Sequence, residues 1–419
     1  MGSLIEEIWA RRSVVVASLP AAPRLPDARR APPQHRRIGQ PKSWDYETDV
    51  VVVGYGGAGM WSSLVAADEG GSEVVILEKA PVEGGGNSRI NNGEWTVIKD
   101  EKVFRDYCVA FGHGLIEEDM IDAYIAEASQ HTDYADKYGM TYEVAEQALA
   151  GTIPEYWFLD DGKYAGCIGV SSVDGFGMTT FHELEAKRAE LGLPIELKFK
   201  CTEEHLIQNP DTKEICGVRF LEDGAEKTIK ARKGVVLCTG GFEFNEELKN
   251  EYLKCYPFKF EGWQFNTGDG IKMGISVGAD LWHMDALSGP WITTKYPDVD
   301  RGIFNGTMPQ RITVEGNCFY VGGNAKRFMK ESDWHKHGHV NIGGTWMSQP
   351  VPDVMWAIMD DTARNGSGVI SVTDESEIVS ANTIEELAGK IGLETEALVS
   401  TTEEYNGFCE AGEDPRFER

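Results

Sequence analysis

Three glycines with the spacing G-x-G-x-x-G follow a run of four valines that ends at Val53. Gly54 permits a tight turn, Gly56 lets the backbone approach a phosphate, and Gly59 allows a helix to pack closely on a strand. The first turn of such a helix presents N–H groups without intrahelical partners and a partial positive charge, which favour a bound pyrophosphate. The spacing therefore predicts a dinucleotide site.

The segments around these glycines fit a strand–helix–strand unit. The β-branched run 50–53 predicts a buried parallel strand, and residues 74–77 predict a second one. Glu78 ends the second strand, 24 residues after Gly54, where a carboxylate could accept both hydrogen bonds of an adenosine ribose.

Composition limits the classes of function. The chain has 419 residues and a formal net charge of −28, which argues against binding a phosphate backbone and hence against nucleic acid. Its length suggests two or three domains, and no apolar run is long enough to span a bilayer.

The eight cysteines are scattered and show no C-x-x-C pair or iron–sulfur spacing. Any redox chemistry therefore depends on an organic cofactor, with electrons exchanged with a separate donor or acceptor protein. We predict no metal site.

Residues 1–44 are rich in arginine and proline, and we predict a disordered extension there. We expect a cytoplasmic protein. The alternative is export, because Arg11 and Arg12 precede a short apolar stretch that resembles a degenerate twin-arginine signal.

A second apolar strand, around 233–238, ends in Thr239, Gly240 and Gly241. A repeated strand-to-glycine turn is typical of flavoproteins, whose sheet returns to the cofactor. The glycine turn near 266–270 is predicted to lead into a helix, and the Trp-, Gly- and His-rich segment 285–375 reads as a separate module.

Seven ordered motifs together resemble one family, the FAD-binding flavoprotein subunits of fumarate reductase and succinate dehydrogenase, to which 3-ketosteroid dehydrogenases are related. The motifs are 49–59, Glu78-Lys79, 85–88, 235–245, 266–270, Lys326-Arg327-Phe328 with Glu331, and 414–419. The resemblance implies an α/β fold: a doubly wound, Rossmann-like FAD-binding domain with an inserted α+β capping domain. It implies an FAD-binding domain over 45–284, a capping domain over 285–375, and a helical segment over 376–419 that returns toward the FAD domain.

The resemblance also implies a set of FAD contacts. Glu78 would hold the ribose, Asn87 and Ser88 would line the pyrophosphate and flavin, Asn92 and Gly93 would lie near the isoalloxazine, and Asp269 would help to close the site. The full expected set is Gly54, Gly56, Gly57, Ala58, Gly59, Glu78, Lys79, Gly86, Asn87, Ser88, Asn92, Gly93, Thr239, Gly240, Gly241 and Asp269. No histidine occurs between Gly84 and Gly93, where covalent members attach FAD, so we expect non-covalent FAD.

The substrate side departs from the family pattern. The proton-donating arginine of soluble fumarate reductases corresponds to His335, in a run with His337 and His339. Histidine can act as an acid near neutral pH, but it cannot grip a carboxylate bidentately. We therefore expect His335 or His337 to be the catalytic acid, and a substrate other than fumarate.

The closing motif 414–419 is followed in the family by a further segment that contributes FAD and substrate contacts. From the sequence we expect a truncated form of such a flavoprotein.

Three functions remain open at this point. The first is an FAD-dependent oxidoreductase that reduces or desaturates a C–C bond beside a carbonyl or carboxylate of a small-molecule substrate. The second is a 3-ketosteroid dehydrogenase with tyrosines as acid and base. The third is a non-catalytic remnant.

Overall fold

The computed structural model describes residues 14–17, 40–91, 93–112, 116–145, 164, 166–172, 176–253, 262–282, 284–285, 318–329, 339–342, 345–348, 352, 354–366 and 378–417. The strands are β1 (Val14–Ala17), β2 (Tyr46–Val53), β3 (Val74–Leu77), β4 (Trp95–Ile98), β5 (Glu143–Ala145), β6 (Ile168–Ser172), β7 (Ile195–Lys198), β8 (Cys201–Gln208), β9 (Ile215–Glu222), β10 (Ala225–Leu237), β11 (Cys318–Gly322), β12 (His339–Ile342), β13 (Thr345–Ser348), β14 (Met355–Met359) and β15 (Ile378–Ala381). The helices are α1 (Gly57–Asp68), α2 (Gly86–Ile90), α3 (Glu101–Phe111), α4 (Glu118–Ala128), α5 (His131–Lys137), α6 (Phe176–Leu191), α7 (Glu246–Leu248), α8 (Asp269–Val277), α9 (Asp361–Gly366), α10 (Ile384–Ile391) and α11 (Thr395–Ala411).

The central sheet has six strands in the order β7-β3-β2-β10-β9-β8. Strands β7, β3, β2 and β10 run parallel, whereas β9 pairs antiparallel with β10 and β8 pairs antiparallel with β9. The parallel part confirms the doubly wound α/β fold predicted from the sequence, since its carboxyl ends meet at one edge.

The valine runs form the centre of this sheet because both faces of it are buried. Val51 and Val53 pack on one face with Phe220 and with Met273 of α8. Val52 packs on the opposite face against Met60 and Leu64 of α1 and against residues of α6. A strand covered on both faces is apolar at successive positions, which accounts for the unbroken valines.

A tight hairpin follows residue 222. Asp223 and Gly224 join β9 to β10 with φ angles of +48° and +82°, as a two-residue turn with positive φ at both positions requires.

A four-stranded antiparallel sheet in the order β11-β14-β1-β15 forms a second centre. Helices α10 and α11 cover it, through a shared core that includes Val321, Leu387, Leu398 and Tyr405. The described part of 376–419 therefore packs on this sheet, because apolar side chains of α10 and α11 share a core with those of β11 and β14.

Val14–Ala17 also differ from the prediction of a disordered extension. They form β1, which pairs antiparallel with β14 on one side and β15 on the other. The sequence Val-Val-Val-Ala has a high strand propensity, and the gap between β14 and β15 satisfies its backbone hydrogen bonds.

Candidate cofactor-binding site

A cleft with a volume of about 340 Å³ opens at the carboxyl ends of β2, β3 and β10. This is the edge of a parallel sheet at which ligands bind in open α/β folds. The predicted residues that line it are Gly54, Gly56, Gly57, Ala58, Glu78, Lys79, Gly86, Asn87, Ser88, Thr239, Gly240 and Asp269.

The glycine turn has no room for side chains. Gly54 has φ +100°, and a Cβ atom on it would lie 2.2 Å from the carbonyl oxygen of Cys238. A Cβ on Gly59 would lie 2.0 Å from the carbonyl oxygen of Gly54. Both glycines are therefore required by close backbone approach, and Gly59 acts through packing because it does not line the cleft.

The N-terminus of α1 faces this turn without a competing side chain. Gly56 is the N-cap residue, no side chain caps the helix, and its first turn contains no acidic residue. The first N–H groups and the positive end of the helix dipole thus remain available for an anion.

The second glycine loop packs against the first. The N–H of Gly85 donates to the carbonyl oxygen of Tyr55 at 2.6 Å, and Gly56 and Gly85 form a parallel bridge. Gly57 must also lack a side chain, because a Cβ there would lie 2.4 Å from Ser88 Oγ. The two loops therefore form one rigid wall of the cleft.

Glu78 is buried and held by the backbone. Its carboxylate accepts hydrogen bonds from the N–H groups of Tyr55 and Ala80, each at 2.7 Å. An ionised carboxylate offers about four lone-pair positions, so it retains acceptor capacity for two ribose hydroxyls.

Lys79 is paired across the cleft with Asp269 at the start of α8. Its ammonium group also donates to Thr267 Oγ1 at 2.8 Å, and the Thr239 hydroxyl accepts from the N–H of Gly270 at 3.1 Å. These contacts connect the glycine turn after β10 to α8.

Asn87 organises the opposite end of the cleft. Its Oδ1 accepts from the N–H of Trp263 at 2.7 Å and from Asn266 Nδ2 at 3.1 Å, and its Nδ2 donates to Glu243 at 2.8 Å. Trp263 and Phe265, whose ring centroids are 5.8 Å apart, add an aromatic wall.

Several lining residues were not predicted from the sequence. Tyr55, Cys238, Trp263, Phe265, Asn266 and Glu204 all line the cleft. Asn266 was part of a recognised motif, whereas Glu204 had no sequence signal. Burial raises the pKa of the Glu204 carboxyl to about 7, and the nearby charge of Asp269 acts in the same direction.

Other predicted residues lie elsewhere. Gly93 and Gly241 do not line the cleft, and the N–H of Gly93 donates to Asn91 Oδ1 at 2.8 Å. Asn92 and the two candidate acids, His335 and His337, lie outside the described residues.

The described residues hold no group of three or more His, Cys, Asp or Glu side chains arranged to bind a metal ion. Among the helices in the described ranges, none is both long and apolar enough to cross a membrane.

The geometry fits a dinucleotide: an uncapped helix N-terminus, two glycine loops without room for Cβ atoms, and a buried acid at the end of the neighbouring strand. Residues 49–419 match the family model described as FAD binding domain. The chain belongs to the FAD binding domain family. The match confirms the resemblance and the predicted FAD-binding fold.

Relatives of this chain with known names are also oxidoreductases. The chain is 27% identical to digoxin reductase of Eggerthella lenta, covering 90% of this chain and 72% of that protein. It is 28% identical to 3-oxosteroid 1-dehydrogenase of Mycobacterium tuberculosis, covering 89% and 80%. The 3-ketosteroid delta1-dehydrogenase of Sterolibacterium denitrificans has the same fold, with a TM-score of 0.71 at 20% identity over 89% of this chain and 81% of that one. The prediction of an FAD-dependent oxidoreductase is thereby confirmed at this level.

Proposed function

We propose that the cleft holds FAD without a covalent bond. The N-terminus of α1 would bind the pyrophosphate, Glu78 the ribose, and Asn87 and Ser88 the flavin half. Lys79 and Asp269 would close the site through their ion pair. Among the described residues, no histidine lines the cleft, which supports non-covalent attachment.

The reaction we propose is the addition or removal of hydrogen across a C–C bond beside a carbonyl or carboxylate. The observation that best supports this reaction is the glycine-walled cleft in a chain of this family. Relatives of the chain include digoxin reductase and 3-oxosteroid 1-dehydrogenase. Bound FAD would supply hydride chemistry, and the chain's own residues would orient it, exclude water and move a proton.

We propose a bulky carbonyl compound as the substrate in preference to fumarate. The names of the two relatives point to digoxin and 3-oxosteroids, which are fused-ring molecules. The replacement of the expected carboxylate-gripping arginine by His335 agrees, because a histidine cannot hold a dicarboxylate bidentately.

Four further assignments belong to this proposal. The module within 285–375 is the capping domain, and His335 or His337 supplies the proton. Electrons come from or go to a separate protein, because the cysteine spacing offers no iron–sulfur site. The proposed compartment is the cytoplasm. The pairing of β1 between β14 and β15 favours retention of residues 14–17 over their removal as an export signal.

The test is anaerobic turnover with the FAD-loaded chain. Reduced methyl viologen serves as donor, with 4-androstene-3,17-dione or fumarate as substrate, and the reverse reaction uses a phenazine acceptor. We expect turnover of the steroid in at least one direction and little with fumarate. Efficient fumarate reduction without steroid turnover would contradict the substrate proposal, and no turnover in a fully flavinated chain would favour a remnant.

The proposed acid is tested by His335→Gln and His337→Gln. Loss of a general acid lowers turnover by roughly 100-fold or more, and we expect this for one of the two variants with unchanged FAD content. His182→Gln, at an exposed position on α6, is the matched control. Wild-type turnover in both variants would remove these histidines from the reaction.

A further inference from the structure

Glu204 lies in a β-bulge in β8. Thr202 pairs with Leu221 and His205 pairs with Arg219, so residues 203 and 204 lie opposite the single residue Phe220. A bulge interrupts the alternation of side chains along a strand and re-aims one of them. Here it places Glu204 on the wall of the cofactor cleft.

The carboxyl of Glu204 is held inside the protein by its own backbone. The residue is only 8% exposed, and a hydrogen bond from its own backbone N–H acts on the carboxyl. A buried carboxyl has further donor and acceptor positions, which favour a polar partner.

Burial raises the pKa of this carboxyl, and the surrounding groups act on it in both directions. The groups that act on it are Asp269 at the start of α8, Lys79 and Glu78 after β3, and the thiol of Cys201 on β8 itself. Lys79 is already committed to Asp269 and Thr267. Burial is the main cause of the raised pKa of Glu204, about 7, so the acid form predominates below neutral pH.

We propose that Glu204, in its neutral form, recognises the adenine base of the bound dinucleotide. This inference rests on the proposed binding of FAD, in which the helix N-terminus would bind the pyrophosphate and Glu78 the ribose, so that the base would extend beyond Glu78. Glu204, which lines the same cleft as Glu78 and Lys79, is the polar side chain left there without another task.

The chemistry of the two groups is complementary. A neutral carboxyl has an O–H donor beside a C=O acceptor, as a glutamine amide has an N–H donor beside its oxygen. Adenine presents an amino donor beside a ring-nitrogen acceptor, which such a pair contacts with two hydrogen bonds. Ionisation removes the donor and sets a charge against the ring nitrogen, so the dinucleotide binds less tightly.

The first experiment measures the Kd of FAD by flavin fluorescence quenching at pH 6 and pH 8. With a pKa near 7 in the free protein, the wild-type Kd rises about tenfold over this interval. Glu204→Gln keeps the donor and acceptor but cannot ionise, so its Kd stays tight and constant. Glu127→Gln, exposed on α4, behaves as the wild type.

The second experiment tests recognition of the base by competing ADP or IDP against FAD at pH 6. The two competitors differ at the position of the adenine amino group, so ADP competes at least about tenfold better in the wild type and this preference is lost in Glu204→Ala. A wild-type Kd that is constant between pH 6 and pH 8, or a pH dependence that persists in Glu204→Gln, overturns the proposal. Equal competition by ADP and IDP overturns it as well.

Discussion

The sequence motifs near the central sheet and those near the four-stranded sheet contribute to the structure in different ways. Near the central sheet they need glycine, because a Cβ on Gly54 or Gly59 would collide with a backbone oxygen. Near the four-stranded sheet they contribute large side chains that interact with each other. Arg327 and Asp414, from two separate motifs, form an ion pair of 2.7 Å whose side chains are 0% and 5% exposed.

The second arrangement extends beyond one ion pair. The Arg327 guanidinium stacks over the ring of Tyr405 at 4.7 Å, and the hydroxyl of Tyr405 donates to the carbonyl oxygen of Cys318 at 3.0 Å. Thr401 likewise donates to the carbonyl oxygen of Ala325 at 2.8 Å. The comparison teaches that family motifs of the first region build the cofactor site, whereas those of the second connect α11 to β11.

The largest expected effect is therefore on stability, in the second region. Arg327→Met leaves Asp414 buried without its counter-charge, and we expect a loss of about 3–5 kcal/mol in the free energy of unfolding. Urea denaturation followed by tryptophan fluorescence measures it. The FAD affinity of the folded fraction should stay within about twofold of wild type, since this pair lies outside the cleft.

Two variants control this prediction. Lys102→Met breaks an exposed ion pair on α3 and should cost at most about 0.5 kcal/mol. Arg327→Met combined with Asp414→Leu removes both charges and should recover most of the loss. If the single variant unfolds like the wild type, the ion pair does not hold this region together.

A smaller expected effect is the pH dependence of the free energy of unfolding, which has opposite signs for Glu204 in the cleft and for Asp414 beside the four-stranded sheet. The Glu204 pKa is raised from 4.5 to about 7, so the folded protein binds more protons than the unfolded chain between these values. The free energy of unfolding of FAD-free protein should therefore fall as pH rises from 4.5 to 7, by on the order of 3 kcal/mol, and then level off. Asp414 acts oppositely. Burial raises its pKa, but Arg327 and the backbone N–H groups of Arg416 and Phe417 together lower it by more, so its contribution to stability is lost only as pH falls below 3.8.

Denaturation curves of wild type and Glu204→Gln between pH 4.5 and pH 7 isolate the contribution of Glu204 to the free energy of unfolding, since the variant cannot ionise at this position. Identical slopes in the two proteins would mean that Glu204 is not buried in its acid form.

Features with local sequence signals were predicted, whereas features that depend on distant strand pairing were not. The turn at Gly54 and the strands around it were predicted because their signals are local: valines buried on both faces, then glycines at fixed spacing. Glu204 was missed because its direction depends on the register between β8 and β9, which no local pattern encodes. The position of β1 between β14 and β15 was missed for the same reason, since its partners are more than 300 residues away.

The central claim is that the glycine-walled cleft binds FAD, and the most direct test is a titration of FAD into the wild type, Gly59→Ala and Gly389→Ala. Gly59→Ala places a Cβ against the Gly54 carbonyl, whereas Gly389 on α10 has open space around it. We predict one FAD per wild-type chain, a Kd weakened roughly 100-fold in Gly59→Ala, and a wild-type Kd in Gly389→Ala. No saturable binding to the wild type, or equal binding to wild type and Gly59→Ala, would contradict the claim.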